Sequence, residues 1–301
     1  MSGTAKLEHD TTRLAPGELQ QISALVRRLV APNGSPFTFT GTCSYIVGAG
    51  NVAVIDPGPA DDAHIQTLLQ TLHGETVDHI VVTHTHRDHS PGARALQKAT
   101  GAKILGCSAH VPVENAPSGR LDASHDTDHS PDVQMHDGDI LSGRGYTLEA
   151  ITTPGHASNH LCFALREENT LFSGDHVMAW STSIVAPPDG SMHDYMRSLD
   201  KVLSRQETTY LPGHGAAVRE PQAYVAGLAA HRRQREAAIA ARIAAGDRTI
   251  PALVASIYVG LDTKLHAAAG LSVLAHLEDM TARGIVKTDG AATLTSEYRP
   301  A

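Results

Sequence analysis

His84-Thr85-His86-Arg87-Asp88-His89 follows directly on the apolar run Ile80-Val81-Val82. Three imidazoles and a carboxylate crowd into one short turn. Residues two apart on a strand share a face, and a turn after the strand returns Asp88 and His89 toward the same point. Imidazole and carboxylate together suit zinc, iron or manganese. The chain carries 19 His in 301 residues, so a solvated polar loop is the competing reading. The sequence downstream decides between the two.

Three further segments repeat the pattern. Thr153-Pro154-Gly155-His156 follows the strand-like stretch 146–151, Ser173-Gly174-Asp175-His176 follows Thr170-Leu171-Phe172, and Leu211-Pro212-Gly213-His214-Gly215 follows Thr208-Thr209-Tyr210. In each, a β-prone run enters a glycine turn that bears a ligand-type residue, and glycine lets backbone approach closely there. Four strand ends that each deliver imidazole or carboxylate describe a site along one edge of a β-structure.

This ordered set, HxHxDH then Gly-His, Gly-Asp and Gly-His-Gly, resembles the signature of the metallo-β-lactamase fold over about residues 35–220. The resemblance implies an α/β protein of αββα sandwich type. It implies one metal held by His84, His86 and His156, a second held by Asp88, His89 and His214, and Asp175 bridging them. Asp88 and Asp175 are then the catalytic carboxylates. His176 is set aside, because the family pattern uses the neighbouring carboxylate. Asp56, in the turn Asp56-Pro57-Gly58, matches an early element of the family and is expected to orient a ligand from behind. Asn159 and His160 are expected to support the ligands or face the substrate. His110, His125, His129, His136 and His193 lack the strand-turn setting, and the His- and Asp-rich stretch 108–138 reads as a long polar loop.

Strands are expected at 42–47, 52–56, 79–83, 103–107, 147–152, 160–165, 170–173 and 208–211, and helices at 61–72, 91–99 and 193–203. Ser90 is the expected cap of the second helix, with Pro91 in its first turn. Composition shifts after residue 219. Segments 220–246, 250–258 and 264–283 read as helices, and 285–290 with 292–298 as a hairpin. The expected domains are therefore residues 1–219, which bind metal, and 220–301, a small mainly helical module. That helix order, together with the block Ser35 to Tyr45, is similar to the β-lactamase-like protein 2 subfamily, related to glyoxalase II, with its C-terminal winged-helix module. Cys43 stands where that subfamily shows Asn.

Composition narrows the partners. A hydrophobic fraction of 41% suffices for a core, and no apolar stretch reaches the ~20 residues of a membrane helix. The opening segment lacks the apolar core of a signal peptide, and Cys43, Cys107 and Cys162 have no zinc-type spacing, so a cytoplasmic location is expected. Residues 220–301 hold nine Lys and Arg against eight Asp and Glu; with the whole chain at −8, residues 1–219 carry −9. A nucleic-acid binder gains affinity from cations placed on phosphates. Arg232, Arg233 and Arg235 form a local basic cluster, read as a solvated helix face.

Two divalent ions, zinc first with iron or manganese as alternatives, lower the pKa of a shared water toward ~7. The expected activity is hydrolysis of an ester, thioester or related acyl bond of a small molecule. The alternative is an endoribonuclease acting on single-stranded RNA, which the subfamily resemblance favours and the charge does not. A diiron redox enzyme or a β-lactamase ranks lower. The C-terminal module is expected to wall the cleft, pack on the metal domain or make a homodimer.

Overall fold

A computed structural model describes residues 7–112 and 125–301. Part of the polar loop expected over 108–138 therefore lies outside the described residues. Strands β1 (Leu19–Gln21), β2 (Val26–Val30), β3 (Cys43–Ala49), β4 (Asn51–Ile55), β5 (Thr76–Val82), β6 (Lys103–Gly106) and β7 (Val133–Gln134) form one sheet in chain order. Strands β8 (Ile140–Gly143), β9 (Tyr146–Thr152), β10 (Leu161–Leu165), β11 (Thr170–Gly174) and β12 (Thr209–Pro212) form a second, ordered β12-β11-β10-β9-β8.

Each sheet begins antiparallel and turns parallel where the site is built. β4, β5 and β6 run parallel in the first sheet, and β11 runs parallel to β12 in the second. Parallel neighbours need a crossover. Helices α1 (Asp62–Thr71), α2 (Gly92–Thr100) and α3 (Met192–Leu203) supply these crossovers. Asp61 starts α1 by accepting the His64 amide at 2.7 Å, and Ser191 starts α3 by accepting the Asp194 amide at 3.2 Å. Each satisfies an amide that the helix itself leaves open.

The layers follow from alternation. Along β10, Leu161, Phe163 and Leu165 face the core between the sheets, while Cys162 and Ala164 face a second core under α3. A strand buried on both faces carries no polar residue, as its sequence shows. The result is an αββα sandwich.

Helices α4 (Pro221–Ala244), α5 (Ile250–Ile257) and α6 (His266–Ala282) follow, with the short pair β13 (Val286–Lys287) and β14 (Arg299–Pro300). α4 is shared between cores. Its Val225, Leu228 and Ala229 join the core under α3, and its Ile239 and Ile243 join the C-terminal core of Leu253, Val273, Leu277 and Tyr298.

Several expectations are corrected. β1, β2, β7 and β8 were not foreseen. In β2 the apolar run is broken by Arg27, paired with Glu75, and by buried Arg28, which donates to Gln20 and to the Gly215 carbonyl. The second arm of the hairpin is Arg299–Pro300 rather than 292–298, because Thr293, Ser296 and the Tyr298 hydroxyl close a local turn on themselves. Pro91, not Ser90, occupies the cap of α2, and the Ser90 hydroxyl donates to Asp126 instead.

Candidate metal centre

Parallel register brings the ligand-type residues together. Gly174 and Pro212 are partners across β11 and β12, so Asp175 and His214 leave the sheet side by side. The Leu161 amide donates to the Thr83 carbonyl at 2.8 Å, and the Cys43 amide to the Gly213 carbonyl at 2.7 Å. These bonds tie the two sheets at the edge where β5, β9, β11 and β12 end.

Two knots of donor atoms result. His84 Nε2 and His156 Nε2 each lie 3.0 Å from His86 Nδ1. Asp88 Oδ2 lies 3.1 Å from His214 Nε2 and 3.4 Å from His89 Nε2, and the two imidazole nitrogens are 3.3 Å apart. Asp175 stands between the knots. Its Oδ1 is 3.5 Å from His89 Nε2, while its Oδ2 is 3.5 Å from His156 Nε2 and 3.4 Å from His214 Nε2.

Most of the remaining ring nitrogens are held from behind. His89 Nδ1 meets Asp56 Oδ2 at 2.9 Å, and His84 Nδ1 meets the Thr83 hydroxyl at 2.9 Å. That hydroxyl itself donates to Asp56 Oδ2 at 2.7 Å. His156 Nδ1 donates to the Ile184 carbonyl at 2.6 Å and His214 Nδ1 to the Gly41 carbonyl at 3.2 Å. A proton fixed on the outer nitrogen leaves the inner one as a lone pair aimed into the knot. Asp56 does this from a left-handed backbone, φ +48°, a conformation a non-glycine residue holds only when its surroundings enforce it.

The donor set suits cations. Three imidazole nitrogens around one point cannot all be satisfied by protons, and Asp175 Oδ1 is buried with no hydrogen-bond partner among the described residues. Electrostatics differ between the knots. Burial and neighbouring imidazoles hold His84 and His86 well below the ordinary histidine range, so they stay neutral. Burial also opposes charge on His214, yet Asp175 and Asp88 push its pKa up to about 10. Burial likewise disfavours charge on Asp88 and Asp175, but His89 and His214 hold both carboxyls well below their usual range. The carboxylate-rich knot demands positive charge, which protons or a metal can supply.

Backbone approach is close. A Cβ on Gly213 would sit 2.5 Å from Asp175 Oδ1 and 2.6 Å from His89 Cε1; one on Gly174 would sit 2.5 Å from His160 Nε2. His160 accepts the Asp175 amide at 3.1 Å through Nε2 and meets the Thr153 hydroxyl at 2.8 Å through Nδ1. It stands behind Asp175. Asn159 donates to the Thr85 hydroxyl and the Ser108 carbonyl, behind the metal turn. His176 is buried against Tyr195 and stays out of both knots.

The knots open into a cavity of about 780 Å³, lined by Phe37, Ile184 and Pro187 and, from later in the chain, by Leu271, Leu274 and Leu294. Among the lining residues that escaped the sequence reading, three gather beside His86. His125 packs on His86 with ring centroids 4.8 Å apart and lies 3.4 Å from Asp189. His110, expected in a loop away from the site, stacks on His125 at 3.7 Å. Asp189 also accepts from the Ser158 hydroxyl at 2.6 Å, pinning the turn that carries His156. None of the three ends a strand. For His110 and His125 the prior signal was the density of His and Asp in 108–138; Asp189 had none. His129 instead faces Cys107, and His136 is exposed beside Asp139.

Residues 37–214 match the metallo-beta-lactamase superfamily, and residues 249–293 match the beta-lactamase associated winged helix domain. A beta-lactamase-like protein 2 homolog of Drosophila melanogaster is 30% identical over 225 residues, covering 72% of this chain and 73% of that one. An atrochrysone carboxyl ACP thioesterase of Paecilomyces divaricatus is 31% identical over 228 residues, covering 74% of this chain and 66% of that one. The crystal structure of a beta-lactamase domain protein from Burkholderia ambifaria superposes with a TM-score of 0.79 at 19% identity, covering 100% of this chain and 99% of that one.

Proposed function

We infer the chemistry from membership: the chain belongs to the metallo-beta-lactamase superfamily and is a metal-dependent hydrolase. We propose that it cleaves an ester or thioester bond of a small acyl compound with two divalent ions, zinc foremost. His84, His86 and His156 would hold one ion, Asp88, His89 and His214 the other, and Asp175 would bridge them. Bound there, the ions would supply Lewis acidity and a water acidic enough to attack at neutral pH. Asp88 is the one residue of the seven that is not buried; its carboxylate lines the cavity and can orient the attacking water. Asp56 and Thr83 hold His84 and His89 in register, and His160 holds the Asp175 backbone.

One observation carries the choice of bond. Among the described residues, and apart from the groups that would hold the ions, the cavity wall presents Asp189 and Glu278 against one permanent cation, Arg87. The rest is largely apolar, as a small acyl ligand requires. An RNA strand needs cations along its phosphates, and away from the ions this wall offers only Arg87. The RNA reading rests on the winged-helix module. The thioesterase relative supports the acyl reading. A panel of thioesters, esters and short RNAs across a salt series tests it. Turnover of thioesters with little salt dependence supports the proposal, and metal-dependent RNA cleavage with no acyl turnover overturns it.

The domain division at 219/220 and a cytoplasmic location belong to the same proposal. Free, buried Cys43, Cys107 and Cys162 support the location. No helix among the described residues is long and apolar enough to cross a membrane.

A further inference from the structure

The cavity has a second wall far along the chain from the metal turn. On α6, Leu271, Leu274 and Glu278 line it at spacings of three and four, which is one stripe of a helix. Leu294, from the segment after β13, stands beside them. A helix stripe turned inward ordinarily carries apolar residues throughout. Here one position holds a glutamate.

Glu278 is half-buried, and its carboxyl has neither hydrogen bond nor ion pair among the described residues, although its neighbour Asp279 pairs with Arg283 at 2.8 Å. Burial alone raises the Glu278 pKa, to about 7. A polar group in an apolar wall is costly unless something pairs with it. The described residues supply no partner, so the ligand is the natural source of one.

We propose that Leu271, Leu274, Leu294 and Glu278 form an acyl-group subsite. It takes a medium-length apolar acyl chain that bears a hydroxyl group, with the chain against the leucines and the hydroxyl on Glu278. This rests on the acyl-hydrolase reading and deepens it. A hydroxyl fits because it pairs with a carboxyl in either protonation state, as donor or as acceptor. The chain fits because each buried methylene favours binding.

The zinc-loaded protein is assayed with acetyl, decanoyl and 10-hydroxydecanoyl thioesters of N-acetylcysteamine. In parallel, decanoate and 10-hydroxydecanoate are titrated calorimetrically. We expect kcat/KM to rise tenfold or more from acetyl to decanoyl, and Leu274→Trp to lower the decanoyl-to-acetyl ratio at least tenfold. 10-Hydroxydecanoate binds several-fold tighter than decanoate to the wild type. Glu278→Leu abolishes that preference, and the isosteric Glu278→Gln retains part of it. If no thioester is cleaved, the acyl-hydrolase reading falls while the titration still judges the subsite. If chain length leaves kcat/KM unchanged and the two acids bind alike to wild type and Glu278→Leu, the subsite falls.

Discussion

Asp175 and His214 leave two parallel strands in step, with the Gly213 amide donating to the Gly174 carbonyl at 2.8 Å and Asp175 Oδ2 lying 3.4 Å from His214 Nε2. The closeness depends on the missing side chain of Gly213. In Gly213→Ala a methyl group would meet Asp175 and His89 at distances no Cβ tolerates. We expect zinc content to drop and kcat/KM to fall at least tenfold in a protein that keeps its circular dichroism. Full zinc content in this variant would show that the strand ends have room to part.

Elemental analysis of protein purified with excess zinc should approach two ions per chain, since the donors divide into two knots joined by Asp175. Asp175→Ala should lose about a hundredfold or more in kcat/KM with a small change in melting temperature, because the two sheets supply the stability. A firm value of one ion in the wild type would sink the two-ion site. Loss of soluble fold with activity would make Asp175 a structural residue.

Asp56 acts at one remove from the metal. Asp56→Asn keeps the shape but weakens the acceptor that His89 and Thr83 share. Supports of this kind are worth about 10–100-fold in metal affinity. Competition with a chromophoric chelator should show a loss in that range; unchanged affinity would reduce Asp56 to a fold residue.

Acidity should govern how far metal stabilises the chain. In the metal-free protein His214 titrates near 10, above the ordinary 6.5, because Asp175 and Asp88 outweigh its burial. A raised pKa stabilises the fold fully below 6.5 and loses that contribution as pH climbs toward 10. A metal that replaces the proton therefore gains most at higher pH. The rise in melting temperature on adding zinc should grow from pH 6.5 to 9. A rise that shrinks over that window contradicts the proton–metal exchange.

Arg232, read from sequence as part of a solvated face, is buried on α4 and donates to the Ser183 carbonyl. The next carbonyl, Ile184, accepts from His156. Arg232→Leu should weaken zinc binding several-fold, and Arg232→Lys should recover part of the loss. Equal affinity in all three proteins would show that the segment holds its course unaided.

The strand ends were legible because each carries its own local signal: a β-prone run that enters a turn bearing a ligand-type residue, with a glycine beside it in all but the first His-rich turn. His84, His86, Asp88, His89, His156, Asp175 and His214 all fall in such settings, and Asp56 does too. Glu278, Asp189 and His125 were illegible for the opposite reason. Each reaches the cavity through tertiary packing of a helix or loop whose local pattern says nothing about what it faces. The missed β2 shows the same limit, since Arg27 and Arg28 hide a buried strand until their partners Glu75 and Gln20 are placed beside them.

The stripe on α6 separates two duties that many enzymes mix within one set of loops. Bond cleavage resides on strand ends that tolerate little change, and part of the wall is written into a helix that begins over fifty residues after the last of them. Substitutions at 271, 274 and 278 leave every donor atom in place. A lineage built this way can drift toward new acids by editing one helical face, with the hydrolytic apparatus inherited intact.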